Sequence, residues 1–239
     1  MSYQTIFKRY ELKFCLTRRQ QEELMKVMEP YMKLDHYGHT LIRNLYFDTD
    51  SYQLIRRSQE KPIYKEKLRV RSYRRAEPSS TVFVELKKKY RSVVYKRRVA
   101  LTESEALSWL CGSRFPSSDS QIAEEIEYFR TFYSTLHPAC FLSYERDAFH
   151  SLGKDDLRVT FDDAIIARVA ELSLETEIWG TALLEPDHVL MEIKTSGGIP
   201  LWMSDFLTRN HIYKTSFSKY GEAYCKEIAG KQCKERSYA

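Results

Sequence analysis

Seven short segments of this 239-residue chain each set two polar side chains two positions apart: Glu11 and Lys13, Arg69 and Arg71, Glu85 and Lys87, Lys96 and Arg98, Tyr144 and Arg146, Arg158 and Thr160, Glu192 and Lys194. Most of them are cations, with carboxylates interspersed. A guanidinium fork matches two phosphate oxygens at once and an ammonium group is a compact point charge, so these residues brought together would bind a polyanion. The carboxylates need a reason of their own. A divalent cation bridging a carboxylate such as Glu11 or Glu192 to substrate phosphates supplies one, and pairing with adjacent lysines and arginines is the plainer alternative.

Other chemistries find little support. The chain has no GxxxxGK[ST] loop, no GxGxxG after a strand and no HExxH. Its six histidines are unclustered. Cys15, Cys111, Cys140, Cys225 and Cys233 form no CxxC or Cys/His cluster, so neither a disulfide framework nor a zinc site is expected. The net charge of +5 is small beside a charged fraction of 30%, which suits a locally bound anion. Long nucleic acid is not the expected partner, because basic stripes and aromatic platforms are missing. The first residues carry no apolar signal core and no stretch is long enough to span a bilayer, so a cytoplasmic location is expected.

The elements that would position these residues alternate between strand and helix periods. Arg9, Glu11 and Lys13 lie opposite Tyr10, Leu12 and Phe14 in a strand over 6–16, and Thr17 to Gln20 has capping-box spacing before a helix with Leu24, Val27, Met28 and Tyr31. Strands follow over 40–48 and 65–75, the latter with Lys67, Arg69 and Arg71 on one parity. Residues 81–101 read as a hairpin turning near Arg91 and Ser92, which would put Glu85, Lys87, Lys96 and Arg98 on a shared face. Capping boxes at Thr102–Glu105 and Ser118–Gln121 open two helices, and strands resume over 139–149, 157–162 and 189–195. Residues 163–170 extend a strand or form an edge, and 171–187 form a loop or hairpin insertion. Pro200 suits a first helical position, and a last helix carries Phe217, Tyr220, Tyr224 and Ile228. No linker divides the chain, so one domain over 1–239 is expected, with an ordered core from about 5 to 230 and a frayed tail from Lys231.

The helices must bury apolar stripes, and the apolar strand faces are the available surface. The charged faces are then open to water or enclosed. Antiparallel sheets with this many strands tend to curl or close, which removes exposed edges. The expected architecture is therefore α+β: a closed antiparallel barrel of about eight strands forming a charged tunnel, with helices outside. A crowd of like charges repels itself when empty and makes sense where a polyanion fills it.

Ordered motifs from Phe7 to about Ile228 then resemble a known family: Arg9-Tyr-Glu-Leu-Lys13, Leu45-Tyr-Phe-Asp48, Leu68-Arg-Val-Arg71, Glu85-Leu-Lys87, Tyr95-Lys-Arg-Arg98, Tyr144-Glu-Arg146, Arg158-Val-Thr-Phe-Asp162, Glu192-Ile-Lys194 and Ser216-Phe-Ser-Lys-Tyr220. The chain resembles the VTC domain, the polyphosphate polymerase domain of the vacuolar transporter chaperone complex, within the triphosphate tunnel metalloenzymes. That resemblance implies transfer of the terminal phosphoryl of ATP to a growing polyphosphate chain, with Mn or Mg. By position it implies that Lys13, Arg69, Arg71, Lys87, Lys96, Arg146, Arg158 and Lys219 act on the phosphates. Glu11, Glu85, Arg98, Tyr144, Lys194 and Ser218 would contribute to binding, and Glu192 would hold the metal. The superfamily's ExExK pattern stands here as Arg9-x-Glu11-x-Lys13, which thins the carboxylate set, and Ser216 replaces a basic residue three before Lys219. A metal-dependent triphosphatase or polyphosphatase and a non-catalytic polyphosphate or inositol-phosphate binding module are the alternatives.

Overall fold

The computed structural model describes residues 10–91, 93–112, 115–116, 120–153 and 156–230. The readings that rest on Arg9, Ser92, Ser118 and the tail from Lys231 fall outside them.

Period-two alternation produces the strands. In chain order they are β1 (Tyr10–Thr17), β2 (Met32–Asp48), β3 (Tyr64–Ser72), β4 (Thr81–Tyr90), β5 (Val93–Thr102), β6 (His137–Ser151), β7 (Arg158–Arg168), β8 (Thr181–Ala182), β9 (His188–Thr195) and β10 (Lys214–Thr215). The helices are α1 (Arg18–Met28), α2 (Gln53–Gln59), α3 (Glu103–Leu110), α4 (Gln121–Phe132), α5 (Leu201–Arg209) and α6 (Lys219–Ala223), the last running into a π-helical turn, Tyr224–Ile228. Thr17 and Thr102 close reciprocal capping boxes with Gln20 and Glu105, as their spacing predicts, each contributing about 1 kcal/mol. Pro200 caps α5 from outside instead of opening it. One strand outruns its sequence signal, β2, which starts at Met32, well before Thr40, while β7 continues to Arg168, the extension that the sequence offered for 163–170.

One antiparallel sheet contains all ten strands, ordered β10-β1-β9-β7-β6-β2-β3-β4-β5, with β8 added to β7. The β4–β5 register sets Glu85 opposite Arg98 and Lys87 opposite Lys96, the shared charged face expected of the hairpin. The apolar face carries two cores. One joins Leu45, Leu68, Val84 and Leu86 to Trp109 of α3 and Ile126 of α4; the other joins Leu16, Phe161 and Met191 to Leu24 of α1 and Met203 of α5. A third apolar cluster was not expected, because it lies on the strand parity that carries the charges. There Ile42, Leu142, Tyr144 and Leu190 pack against Phe217, Tyr220 and Ala223 of the α6 segment. The C-terminal helix thus floors the charged face instead of covering the sheet's outside.

The sheet is not a closed barrel. Among the described residues no ladder joins β5 to β1, and the strand path ends at β5 on one side and β10 on the other. The physical reason lies in the edge of β1: Lys13 and Phe14 pair with Thr215 and Lys214 of β10, which occupies hydrogen-bonding groups that closure would require. The sheet is nevertheless strongly curled. Lys87 Nζ of β4 comes within 3.2 Å of Glu11 Oε2 of β1, although the strands are far apart in sheet order. The result is an open channel bridged by side chains.

Candidate functional site

The curled face encloses a cavity of about 690 Å³. Side chains from β1, β2, β3, β4, β5, β6, β9 and α6 line it, among them Lys13, Arg69, Arg71, Lys87, Lys96, Arg146, Lys194 and Lys219. The i, i+2 pairs point inward because alternate residues of a strand share a face, and curling converges those faces.

Two buried carboxylates organise opposite walls. On β4, Glu85 is 1% exposed and accepts Arg69 Nε at 2.8 Å, Lys96 Nζ at 2.6 Å and Arg98 Nε at 2.8 Å, with Arg71 Nε 3.8 Å away. Burial works against the Glu85 charge, but Arg69, Arg71 and Lys96 outweigh it and hold the carboxyl far below the usual carboxylate range. Arg71 also donates to Asn44 at 3.0 Å and to the Tyr144 hydroxyl at 3.1 Å. Across the channel Asp162 of β7, fully buried, accepts Arg146 at 2.5 and 2.7 Å and is also bonded by Lys219. Its carboxyl is lowered as well: burial opposes ionisation, and Arg146 and Lys219 overcome it.

On the third side Glu192 of β9 lies 3.4 Å from Lys194 and 3.9 Å from Arg146. Burial raises the Glu192 carboxyl, but Lys194, Glu11, Lys13 and Arg146 together drive it well below the ordinary value. Both carboxylates therefore do pair with adjacent cations. Among the described residues no group of three or more His, Cys, Asp or Glu side chains is arranged to hold a metal ion. Glu192 and Glu11 supply two carboxylates on one patch of the wall. That donor set fits Mg²⁺ or Mn²⁺, since Mg²⁺ is commonly held through one or two carboxylates and completes its shell with substrate phosphates and water.

Two lining groups titrate near neutrality. Burial, reinforced by Arg71 and Arg69, brings the Lys96 amine down to about 8 despite Glu85. The Tyr144 phenol is pushed up by burial but drawn down further by Arg71, Arg146 and Lys219, ending at about 8.

The structure separates the expected residues. Glu11, Lys13, Arg69, Arg71, Lys87, Lys96, Tyr144, Arg146, Glu192, Lys194, Ser218 and Lys219 line the cavity. Glu85 and Arg98 do not; they stand behind the wall, with Arg98 lying 4.2 Å over the Phe83 ring and donating to Tyr73 at 2.8 Å. Arg158 is also outside, its Nη2 2.7 Å from Asp35 Oδ2 on the long N-terminal part of β2. Lys67, Tyr46 and Tyr220 line the cavity without having been singled out, and Asp162 orders it from behind. Lys67 was visible in the Lys67, Arg69, Arg71 row. Tyr46 and Tyr220, whose rings stack at 4.7 Å, looked like ordinary core aromatics.

The VTC domain family matches residues 8–228. No curated protein matches the chain in sequence. Two solved structures share its fold. A Bacillus halodurans protein described as a putative adenylate cyclase is 17% identical, with a TM-score of 0.53 over 88% of this chain and 95% of its own. A Hippeastrum protein, described as a putative adenylyl cyclase with a dominant triphosphatase activity, is 14% identical, with a TM-score of 0.56 over 92% of this chain and 97% of its own.

Proposed function

This chain belongs to the VTC domain family, and from that membership we propose that it is a polyphosphate polymerase, moving the terminal phosphoryl group of ATP onto the end of a condensed phosphate chain. One observation carries the reading: lysines and arginines from β1, β3, β4, β5, β6, β9 and α6 converge on a single cavity of about 690 Å³. Phosphoryl transfer asks chiefly for in-line positioning and neutralisation of charge on the equatorial oxygens, and little covalent chemistry from the protein.

Each wall has a part in this. Arg69, Arg71 and Lys96, fixed by Glu85, present donors that need not reorganise when charge develops. Arg146 and Lys219, fixed by Asp162, do the same from the other side. The attacking group is a phosphate oxygen that already carries charge, so no side chain must remove a proton, which agrees with the poverty of nucleophiles and bases. Glu192 with Glu11 would hold Mg²⁺ or Mn²⁺, which would supply positive charge to offset that of the phosphates.

The second reading is hydrolysis, with water as acceptor in the same cavity. The triphosphatase activity described for the Hippeastrum protein supports this reading. A non-catalytic phosphate-binding module is the third. Incubating the protein with ATP and Mn²⁺ and staining the products for polyphosphate on a gel separates them. Chains support the polymerase, free phosphate alone the hydrolase, and unchanged ATP the binding module. Arg69→Ala should abolish product with the fold retained, and continued synthesis by that variant would count against the site.

A further inference from the structure

We propose that Lys65, Lys67, Lys87 and Lys89, with Lys13 facing them, form an anion track that carries a linear condensed phosphate beyond the arginine-lined part of the cavity. The proposal rests on the polyanion reading of that cavity and extends it along β3 and β4.

The register makes the arrangement. Lys67 stands directly opposite Lys87, and Lys65 directly opposite Lys89, so two like-charge pairs follow one another on the same face of one ladder. Directly opposed like charges destabilise a sheet, and here two such pairs occupy successive same-face positions of one ladder. Lys67 and Lys87 line the cavity, while Lys65 and Lys89 continue the row outward from it.

Counter-ions are nearly missing. Glu11 serves Lys87 at 3.2 Å and Lys13 at 4.0 Å. Among the described residues no carboxylate is paired with Lys65, Lys67 or Lys89. Lys67 Nζ donates to the neutral Ser218 Oγ at 3.0 Å, and Lys65 Nζ to the Ser58 carbonyl at 3.3 Å. The cost is felt by the amines themselves. Burial first, then Lys13, Lys87, Lys65 and Arg69, drives Lys67 well below the ordinary lysine value, and burial with Lys89, Lys13 and Lys87 lowers Lys65.

The shape selects the ligand. From Lys65 to Arg71 the β3 row spans seven residues, about 20 Å of extended strand. The ammonium groups of Lys65 and Lys67, faced by Lys89 and Lys87, run on into the guanidinium groups of Arg69 and Arg71, and this continuous cationic row suits a chain with charge repeated at every unit. A compact anion would engage one end of them only.

The test compares affinities for tripolyphosphate and for a long-chain polyphosphate, measured by calorimetry without ATP. Wild-type protein should bind the long chain more tightly. Lys65→Gln with Lys89→Gln should weaken long-chain binding about tenfold, two contacts of roughly 0.7 kcal/mol each, and tripolyphosphate binding less than about twofold. Retained tripolyphosphate affinity also certifies that the variant is folded. Lys88→Gln, on the opposite face where Lys88 lies 4.0 Å from Glu125, removes a charge from the same strand and should leave long-chain affinity unchanged. Equal losses for both ligands, or no loss for the long chain, would overturn the track while leaving polymerase activity to be judged by its products. Tight long-chain binding lost selectively in the variant, from a protein that makes no polyphosphate, would uphold the track and sink the polymerase.

Discussion

The arginine wall and the lysine cluster sit on the same two strands and solve the problem of crowded positive charge in opposite ways. At one end of β3 and β4, Glu85 is built in as a buried counter-ion for Arg69, Lys96 and Arg98. Those side chains are locked whether or not a ligand is present, and guanidinium groups keep their charge under that burden. A few residues along, Lys67 and Lys65 have only neutral partners among the described residues, and their amines give way by losing affinity for protons. One region is preorganised at the expense of its net charge; the other keeps its charge deficit for the ligand to fill.

The largest effect should follow from removing the internal counter-ion. Glu85→Gln leaves Arg69, Arg71, Lys96 and Arg98 facing one another around a neutral amide. Breaking a buried ion network by neutralising one member costs about 3–5 kcal/mol. Urea unfolding should show that loss, and added polyphosphate should recover part of it by supplying the missing charge. A loss below about 1 kcal/mol would mean that Glu85 does not organise the wall.

The lysine cluster should respond with the opposite sign. Lys67→Met removes a half-buried amine with no carboxylate partner among the described residues and relieves Lys13, Lys87 and Lys65. Stability without ligand should rise by up to about 1 kcal/mol, the scale of a like-charge cross-strand contact. Affinity for polyphosphate should fall at the same time. If stability and affinity fell together, the cluster would be ordinary packing and the contrast with Glu85 would fail.

This contrast also separates what the sequence makes legible from what it hides. Strand parity is local, so the inward pairs and the β4–β5 register could be read from alternation alone. Closure is a property of distant edges: nothing near Lys13 announces that Lys214 and Thr215 will occupy its free side. For the same reason Arg158, whose parity matches Thr160 and Asp162, was expected among the cavity cations, yet Asp35 captures it from a stretch of β2 with little strand signal. Asp162 was hidden differently. Its position in a strand and at the end of the Arg158-Val-Thr-Phe-Asp162 motif was plain, but nothing local shows that its carboxylate will be buried against Arg146 and Lys219.

A third effect, smaller and dependent on pH, distinguishes binding from stability. As pH rises through about 8, Lys96 loses a positive charge and Tyr144 gains a negative one, so both changes weaken attraction for a polyanion. Affinity for polyphosphate should therefore fall above pH 8. Stability should move the other way. Both groups release protons in the folded state before their unfolded values, near 10.5 and 10, so the unfolded chain binds more protons between about pH 8 and 10, and their contribution grows with pH there. Lys96→Met with Tyr144→Phe should flatten the affinity profile. A profile unchanged by that pair would assign the titration elsewhere.

The smallest effect concerns Arg158, which shares a feature with each region: it has a carboxylate partner, like the arginine wall, but that partner lies outside the cavity. Register sets Arg158 opposite Lys194, a cavity residue, so the guanidinium stands one rung from the channel and is turned away by Asp35. The side chain is half exposed, and exposed ion pairs contribute about 0–1 kcal/mol. Asp35→Asn should therefore reduce stability by less than about 1 kcal/mol and free Arg158 to reach a bound chain. Polyphosphate affinity should rise about twofold, on the order of 0.4 kcal/mol. The gain should vanish in a background of Arg158→Ala, because a double-mutant cycle reports the coupling of the pair and not the general loss of a negative charge. A gain that survived without Arg158 would show that the cavity senses Asp35 only through long-range charge, and Arg158 would then belong to the protein's surface.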